Sequence, residues 1–172
     1  MGKIRKDNLV KLIIGFIYKD EAIFIKIKNK LMSKFGKIDF QSQEFNFSHT
    51  DHYRAEMGEG LKKKFVSFTR LIPMPSLSKI KRYTNRLEDK FSINKRRQIN
   101  IDPGYLDLAK LVLATTKDYA HRISLGKGIF AEVTLTFRGN SFVHNAWTYL
   151  DYRSQEYISM FNQIRALYGQ TK

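Results

Sequence analysis

The sequence contains no cysteine. Disulfides and thiol chemistry are excluded, and a reducing compartment suits the chain. Proline is scarce, with three in 172 residues. No repeat, low-complexity segment or long linker marks a second domain, so residues 1–172 read as one domain. Long hydrophobic runs are missing too. The longest, Leu12 to Tyr18, is far too short to span a bilayer. The N-terminus lacks a signal-peptide cleavage pattern. Met1-Gly2 opens like a myristoylation site, but Lys6 stands where that motif needs Ser or Thr. These absences point to a soluble cytoplasmic protein with no membrane partner. Acidic residues are in deficit: 16 Asp and Glu stand against 31 Lys and Arg, a net charge of +15. There is no G-x-x-x-x-G-K-[ST] and no G-x-G-x-x-G after a strand, so no Walker or dinucleotide motif is present. No motif names a cofactor.

What is present is a foldable chain, 42% hydrophobic and 13% aromatic, unlike a disordered one. The positive charge favours anionic partners: nucleic acid, a nucleotide or an acidic protein. A lysine-rich solvated surface explains the same number without any partner.

Leu9 to Tyr18 reads as a strand covered on both faces, interrupted by Gly15 as a packing or bulge glycine. Asp20 caps a helix whose stripe is Phe24, Ile27, Leu31 and Phe35, stopped by Gly36. Short alternating segments follow at 38–42 and 45–47, then an irregular connection from 49 to 60. Phe65 to Ile72 is a strand, ended by Pro73 and Pro75. Ser76 can cap a second helix, with Leu77, Ile80, Thr84, Leu87 and Phe91 at helical spacing. Gln98 to Asp102 is a strand. The order βαββαβ suits an α+β chain, a two-layer ferredoxin-like sandwich with a mixed sheet. A helix from Asp102-Pro103, a hairpin of about 119–125 and 129–138, and a final helix from Ser154 to Gly169 extend it.

Candidate chemistry gathers between 102 and 132. Asp102 reads first as the cap of the helix that Pro103 opens. It is alternatively a catalytic carboxylate at a strand end. The amides of Gly104 and Tyr105 would then bind an anion at the helix N-terminus. Lys110 and Lys117 share one face of that helix. With His121 and Arg122 they would line a phosphate pocket. Counting back from Gly126-Lys127-Gly128 places Leu125 opposite Ile129, Ile123 opposite Ala131, Arg122 opposite Glu132, and His121 opposite Val133 on the apolar face. A second group is basic: Lys79, Arg82, Arg86 and Lys90 lie opposite the apolar stripe of their helix, followed by Lys95, Arg96 and Arg97. His49-Thr50-Asp51-His52 with Glu56 has metal-ligand residue types. No third ligand has diagnostic spacing, so no metal site is expected. Phe65-Val66-Ser67-Phe68 matches the tail of an RNA-recognition signature. The preceding Lys62-Lys63-Lys64 lacks its glycine and aromatic.

Seven blocks occur together: E-M-G at Glu56 to Gly58, F-V-S-F at Phe65 to Phe68, T-N-R-L-E at Thr84 to Glu88, N-I-D-P-G-Y at Asn100 to Tyr105, K-D-Y-A-H-R at Lys117 to Arg122, A-E-V-T-L at Ala131 to Leu135, and W-T-Y-x-D-Y at Trp147 to Tyr152. Across nearly its whole length the chain resembles the prokaryotic domain-of-unknown-function family 4416. The resemblance implies a stand-alone soluble protein and no particular mechanism. Members sometimes carry a GTP-binding label, which this sequence does not support through a P-loop. The last block often has Pro where Leu150 stands here. His49 and His52 are not family features, which counts further against a histidine-metal site. The leading expectation is a domain that binds an anionic ligand: RNA, a nucleotide or another phosphorylated molecule. The alternatives are a small enzyme acting on a phosphorylated substrate around Asp102, Lys117, His121, Arg122 and Glu132, and a basic interaction module without a pocket.

Overall fold

Leu9–Tyr18 (β1) is the centre of the structure, paired on one side with Lys62–Pro73 (β4) and on the other with Ile99–Leu106 (β5). Nine of its ten residues are buried, because apolar layers cover both faces. The computed structural model describes residues 2–3, 7–47 and 53–171. Among these, the remaining elements are α1 (Glu21–Phe35), β2 (Ile38–Gln41), β3 (Phe45–Asn46), α2 (Arg54–Met57), α3 (Ser76–Lys90), β6 (Lys110–Thr115), β7 (Ile123–Ser124), β8 (Phe130–Arg138), β9 (Ser141–His144), a 3-10 turn (Asp151–Arg153) and α4 (Gln155–Gly169). The protein is α+β. One antiparallel sheet runs β2-β4-β1-β5-β6-β8-β7, with β3 also on β4 and β9 also on β8. The sheet is antiparallel throughout, not mixed.

The two helices α1 and α3 pack on one face of this sheet. Phe24, Ile27, Leu31 and Ile80 meet Val10, Leu12, Ile14 and Phe16 there. The other face carries Ile13, Phe65, Leu106 and Leu135, and α4 covers it with Tyr157, Phe161, Ile164 and Tyr168. Helices therefore lie on both sides of the sheet, where a two-layer sandwich has them on one. Capping follows local chemistry. Asp20 accepts from Ala22 N–H at 2.8 Å, and Ser154 accepts from Tyr157 N–H at 3.3 Å. Gly36 leaves α1 at φ +99°, a region that costs other residues a steric penalty.

The expected helix at 103–117 is absent. Asp102, Pro103, Gly104 and Tyr105 lie inside β5, and Lys110–Thr115 is the next strand. Asp107 makes the turn between them: its Oδ1 accepts from the N–H groups of Ala109 and Lys110 at 2.7 and 2.8 Å. Asp102 therefore caps no helix, the Gly104 and Tyr105 amides are strand groups, and Lys110 and Lys117 share no helical face. Two observations explain the strand. Ile101 turns its N–H and C=O away from β1 toward α3. Alternation then puts the missing N–H of Pro103 on the same open side, where no strand needs it. At Gly104 a Cβ would stand 2.4 Å from the carbonyl oxygen of Val112. Only glycine lets β6 approach so closely.

Candidate functional site

Between Gly104 and Leu106, β5 pairs with β6; from Ile99 to Asp102 its outer edge has no strand partner among the described residues. Side chains of α3 take over there. Lys81 donates to Ile101 C=O at 2.9 Å and to Asp102 Oδ1 at 3.1 Å. Glu88 accepts from Ile101 N–H at 2.7 Å. This explains why a helix face read as apolar also buries a lysine and a glutamate: buried backbone polar groups must be paired. Asp102 Oδ2 accepts from Asn100 Nδ2 at 2.6 Å, and Asn100 Oδ1 accepts from Arg97 at 3.0 Å. Arg97 closes the chain by a double contact to Glu56, at 2.6 and 2.9 Å. Burial works against the Asp102 carboxylate. Lys81 and Lys63, with the hydrogen bonds from Lys81 and Asn100, outweigh it and hold its pKa below the ordinary carboxylate value.

Asp102 opens onto a cavity of about 380 Å³. Its walls come from β1, β4, β5 and β6, from the 117–122 connection, from β8 and from residues 149–152. Lys63 stands at its base, where it pairs with Asp151 at 2.5 Å. Its ammonium also lies 4.5 Å from the Tyr152 ring centre. Arg122 is the second buried cation. It donates to Glu132 at 3.0 Å, to the Lys117 carbonyl at 3.0 Å and to the Tyr149 hydroxyl at 2.9 Å. The Glu132 carboxylate also accepts from Thr134 at 3.2 Å. These bonds tie the 117–122 connection to β8 and to the 149–152 segment. Next to the cavity, Tyr119, His121 and Trp147 form a ladder of rings, with centres 6.0 and 5.5 Å apart. The Arg122 guanidinium lies over Tyr119 at 4.5 Å. Tyr119, Trp147, Tyr149 and Leu150 are all exposed. The wall is thus part apolar and part aromatic, with charged groups converging from several strands. Such a space can hold a small organic ligand. Among the described residues no three His, Cys, Asp or Glu side chains gather as a metal-binding group. His49, Thr50, Asp51 and His52 lie outside the described residues.

Of the residues expected from sequence, Asp102, Lys117, Arg122 and Glu132 line this cavity. The hairpin register agrees: Ile123 faces Ala131, Leu125 bonds Ile129, and Arg122 meets Glu132. His121 does not oppose Val133 on an apolar face. The chain turns at Tyr119 to Arg122, whose ends are joined by a backbone hydrogen bond of 2.9 Å. His121 Nε2 then comes 3.1 Å from Glu132 Oε2, next to the cavity but not lining it. Gly104, Tyr105 and Lys110 lie elsewhere: Gly104 and Tyr105 within the β5–β6 ladder, Lys110 paired with Asp107 at 3.0 Å. In the basic group Lys79, Arg82, Arg86, Lys90, Lys95 and Arg96 are exposed, whereas Arg97 is engaged by Glu56. Lys63, Tyr149 and Asp151 were not expected. Lys63 shares its strand face with buried Phe65 two residues on, and that phase was its signal. Asp151 had none beyond its place in the W-T-Y-x-D-Y block.

Over residues 8–168 the chain matches the model of the family described as Domain of unknown function (DUF4416). The protein belongs to that family. No curated protein and no solved structure matches it.

Proposed function

We propose that this member of the family binds a small phosphorylated ligand, with a nucleotide as the first candidate, in the cavity beside Asp102. One observation carries the reading: Lys63, Lys117 and Arg122, alongside the carboxylates of Asp102, Glu132 and Asp151, line a single concave space whose rim holds the exposed rings of Tyr119 and Tyr149. Cations suit phosphate, and aromatic faces suit a base. The space also supports a ligand-binding protein over a module that acts through a flat basic face. Native mass spectrometry of the purified protein tests the reading, together with melting temperatures in a panel of nucleotides and sugar phosphates. The expected result is a retained or stabilising phosphorylated compound whose effect is lost in Lys117→Ala. If no compound is retained and none raises the melting temperature at millimolar concentration, the reading fails.

His121 and Glu132 favour a second reading, an enzyme acting on the same ligand. Their 3.1 Å contact next to the cavity is the arrangement in which a carboxylate orients an imidazole for proton transfer. Asp102 sits in the same cavity as a second polar group. His121→Gln should then keep ligand binding and lose turnover. Equal turnover in both proteins would remove His121 from the chemistry.

A further inference from the structure

The structure assigns a second anion site, separate from the cavity, and we infer that it takes the backbone of a single-stranded nucleic acid. A groove of about 320 Å³ runs between the end of α1, the end of β4 and α3. It shares no lining residue with the cavity. Its cations are Lys34, Arg70, Lys79 and Arg86, from three different elements, and no carboxylate lines it. All four side chains are exposed. None of them makes an ion pair among the described residues.

What distinguishes the groove is that its unpaired cations surround one concave space; other exposed arginines without an ion pair among the described residues, such as Arg82 and Arg96, lie outside it. The run Lys62-Lys63-Lys64 is also strongly basic, yet each of its lysines meets a carboxylate: Glu44, Asp151 and Glu21 respectively. Arg97 and Arg122 are likewise matched by Glu56 and Glu132. The groove leaves its positive charge unbalanced, and concentrated charge of one sign attracts a polyanion. Lys79 and Arg86 lie two helical turns apart, about 10 Å along α3, so they address separate phosphates. The groove floor is not polar. Tyr83 packs edge-on against Phe35 with ring centres 6.0 Å apart, and the Lys34 ammonium stands 4.5 Å from the Tyr83 ring centre. Cations flanking an apolar, aromatic floor fit a strand whose bases are unpaired and can turn inward. A duplex keeps its bases stacked away from such a floor.

The test is a fluorescence-anisotropy titration of labelled 15-nucleotide single strands, RNA and DNA, and of the corresponding duplexes, at 50 to 300 mM salt. The variant is Arg70→Ala/Arg86→Ala. The charge-matched control is Arg96→Ala/Arg138→Ala, two exposed arginines outside the groove. Wild type and control should bind single strands alike and more tightly than duplex. The groove variant should lose at least tenfold at 50 mM salt. Its slope of log affinity against log salt should flatten by about 1.4, as expected for two lost phosphate contacts on a single strand. Circular dichroism confirms that the variants fold. Equal losses in control and groove variant would reduce the effect to net charge and overturn the site. Duplex binding as tight as single-strand binding would overturn the occupant. No binding at 50 mM would overturn both. Lys117→Ala should leave this titration unchanged, so failure of the cavity reading and failure of the groove are separately visible.

Discussion

Lys63 and Asp151 lie 88 residues apart and form an ion pair at 2.5 Å, with about 95% of each side chain out of water. The pair joins the middle of the sheet to the 3-10 turn before α4, at the base of the cavity. A buried pair is strongly destabilising to break, because the remaining charge has no water to return to. Asp151→Ala should therefore cost about 3–5 kcal/mol in urea unfolding. The double variant Lys63→Met/Asp151→Leu should recover most of that loss, since a matched apolar pair carries no desolvation penalty. If the single variant costs under about 1 kcal/mol, the pair behaves like an exposed one.

Glu88 gives a pH dependence of definite sign. Burial raises its pKa, and Asp102 adds to that. Lys81, the Ile101 N–H and Arg97 act in the opposite direction, and the balance is about 7. The unfolded chain loses this proton near the ordinary value of 4.5, whereas the folded chain holds it to about 7. Across that window the folded state binds more protons, so this group's contribution to stability falls as pH rises. Glu88→Gln keeps an acceptor for Ile101 N–H and removes the titration. Relative to wild type it should gain stability between pH 5 and 8, on the order of 3 kcal/mol. Parallel stability curves for the two proteins would contradict the raised value.

Gly104 should tolerate no side chain. A Cβ there would overlap the Val112 carbonyl at 2.4 Å and the Leu113 side chain at 2.7 Å. One of the two is backbone, so a rotamer change cannot relieve both. Gly104→Ala should cost about 3 kcal/mol and speed amide exchange along Lys110–Thr115. Unchanged exchange in that strand would show that the β5–β6 ladder yields without loss.

Local chemistry in the sequence was enough to place α1, α3 and α4, because each has a 3.6-residue apolar stripe; Asp20 and Ser154 cap α1 and α4, whereas Ser76 does not cap α3, which follows Pro75 without a side-chain cap bond. It was also enough for the Gly126-Lys127-Gly128 hairpin, where all three residues take positive φ and the turn length sets which residues face one another. Burial of β1 on both faces was legible in its nearly unbroken apolar run. Sequence did not decide residues 102–117. Asp-Pro suits a helix start and an edge strand equally. Leu106, Ala109 and Leu113 fit a helical stripe only until strand pairing buries Leu111 on one face of β6 and Val112 and Ala114 on the other. The choice came from β1 pairing along one edge of β5 and from the space that Gly104 leaves for β6. The cavity is tertiary for the same reason. Its charged groups come from β4, β5, β8 and the segments at 117–122 and 149–152, and the partners that neutralise them lie up to 88 residues away. Composition alone sets the net charge. The three-dimensional pairing of lysines and arginines with carboxylates decides where that charge is cancelled and where, as in the groove between α1 and α3, it is left exposed.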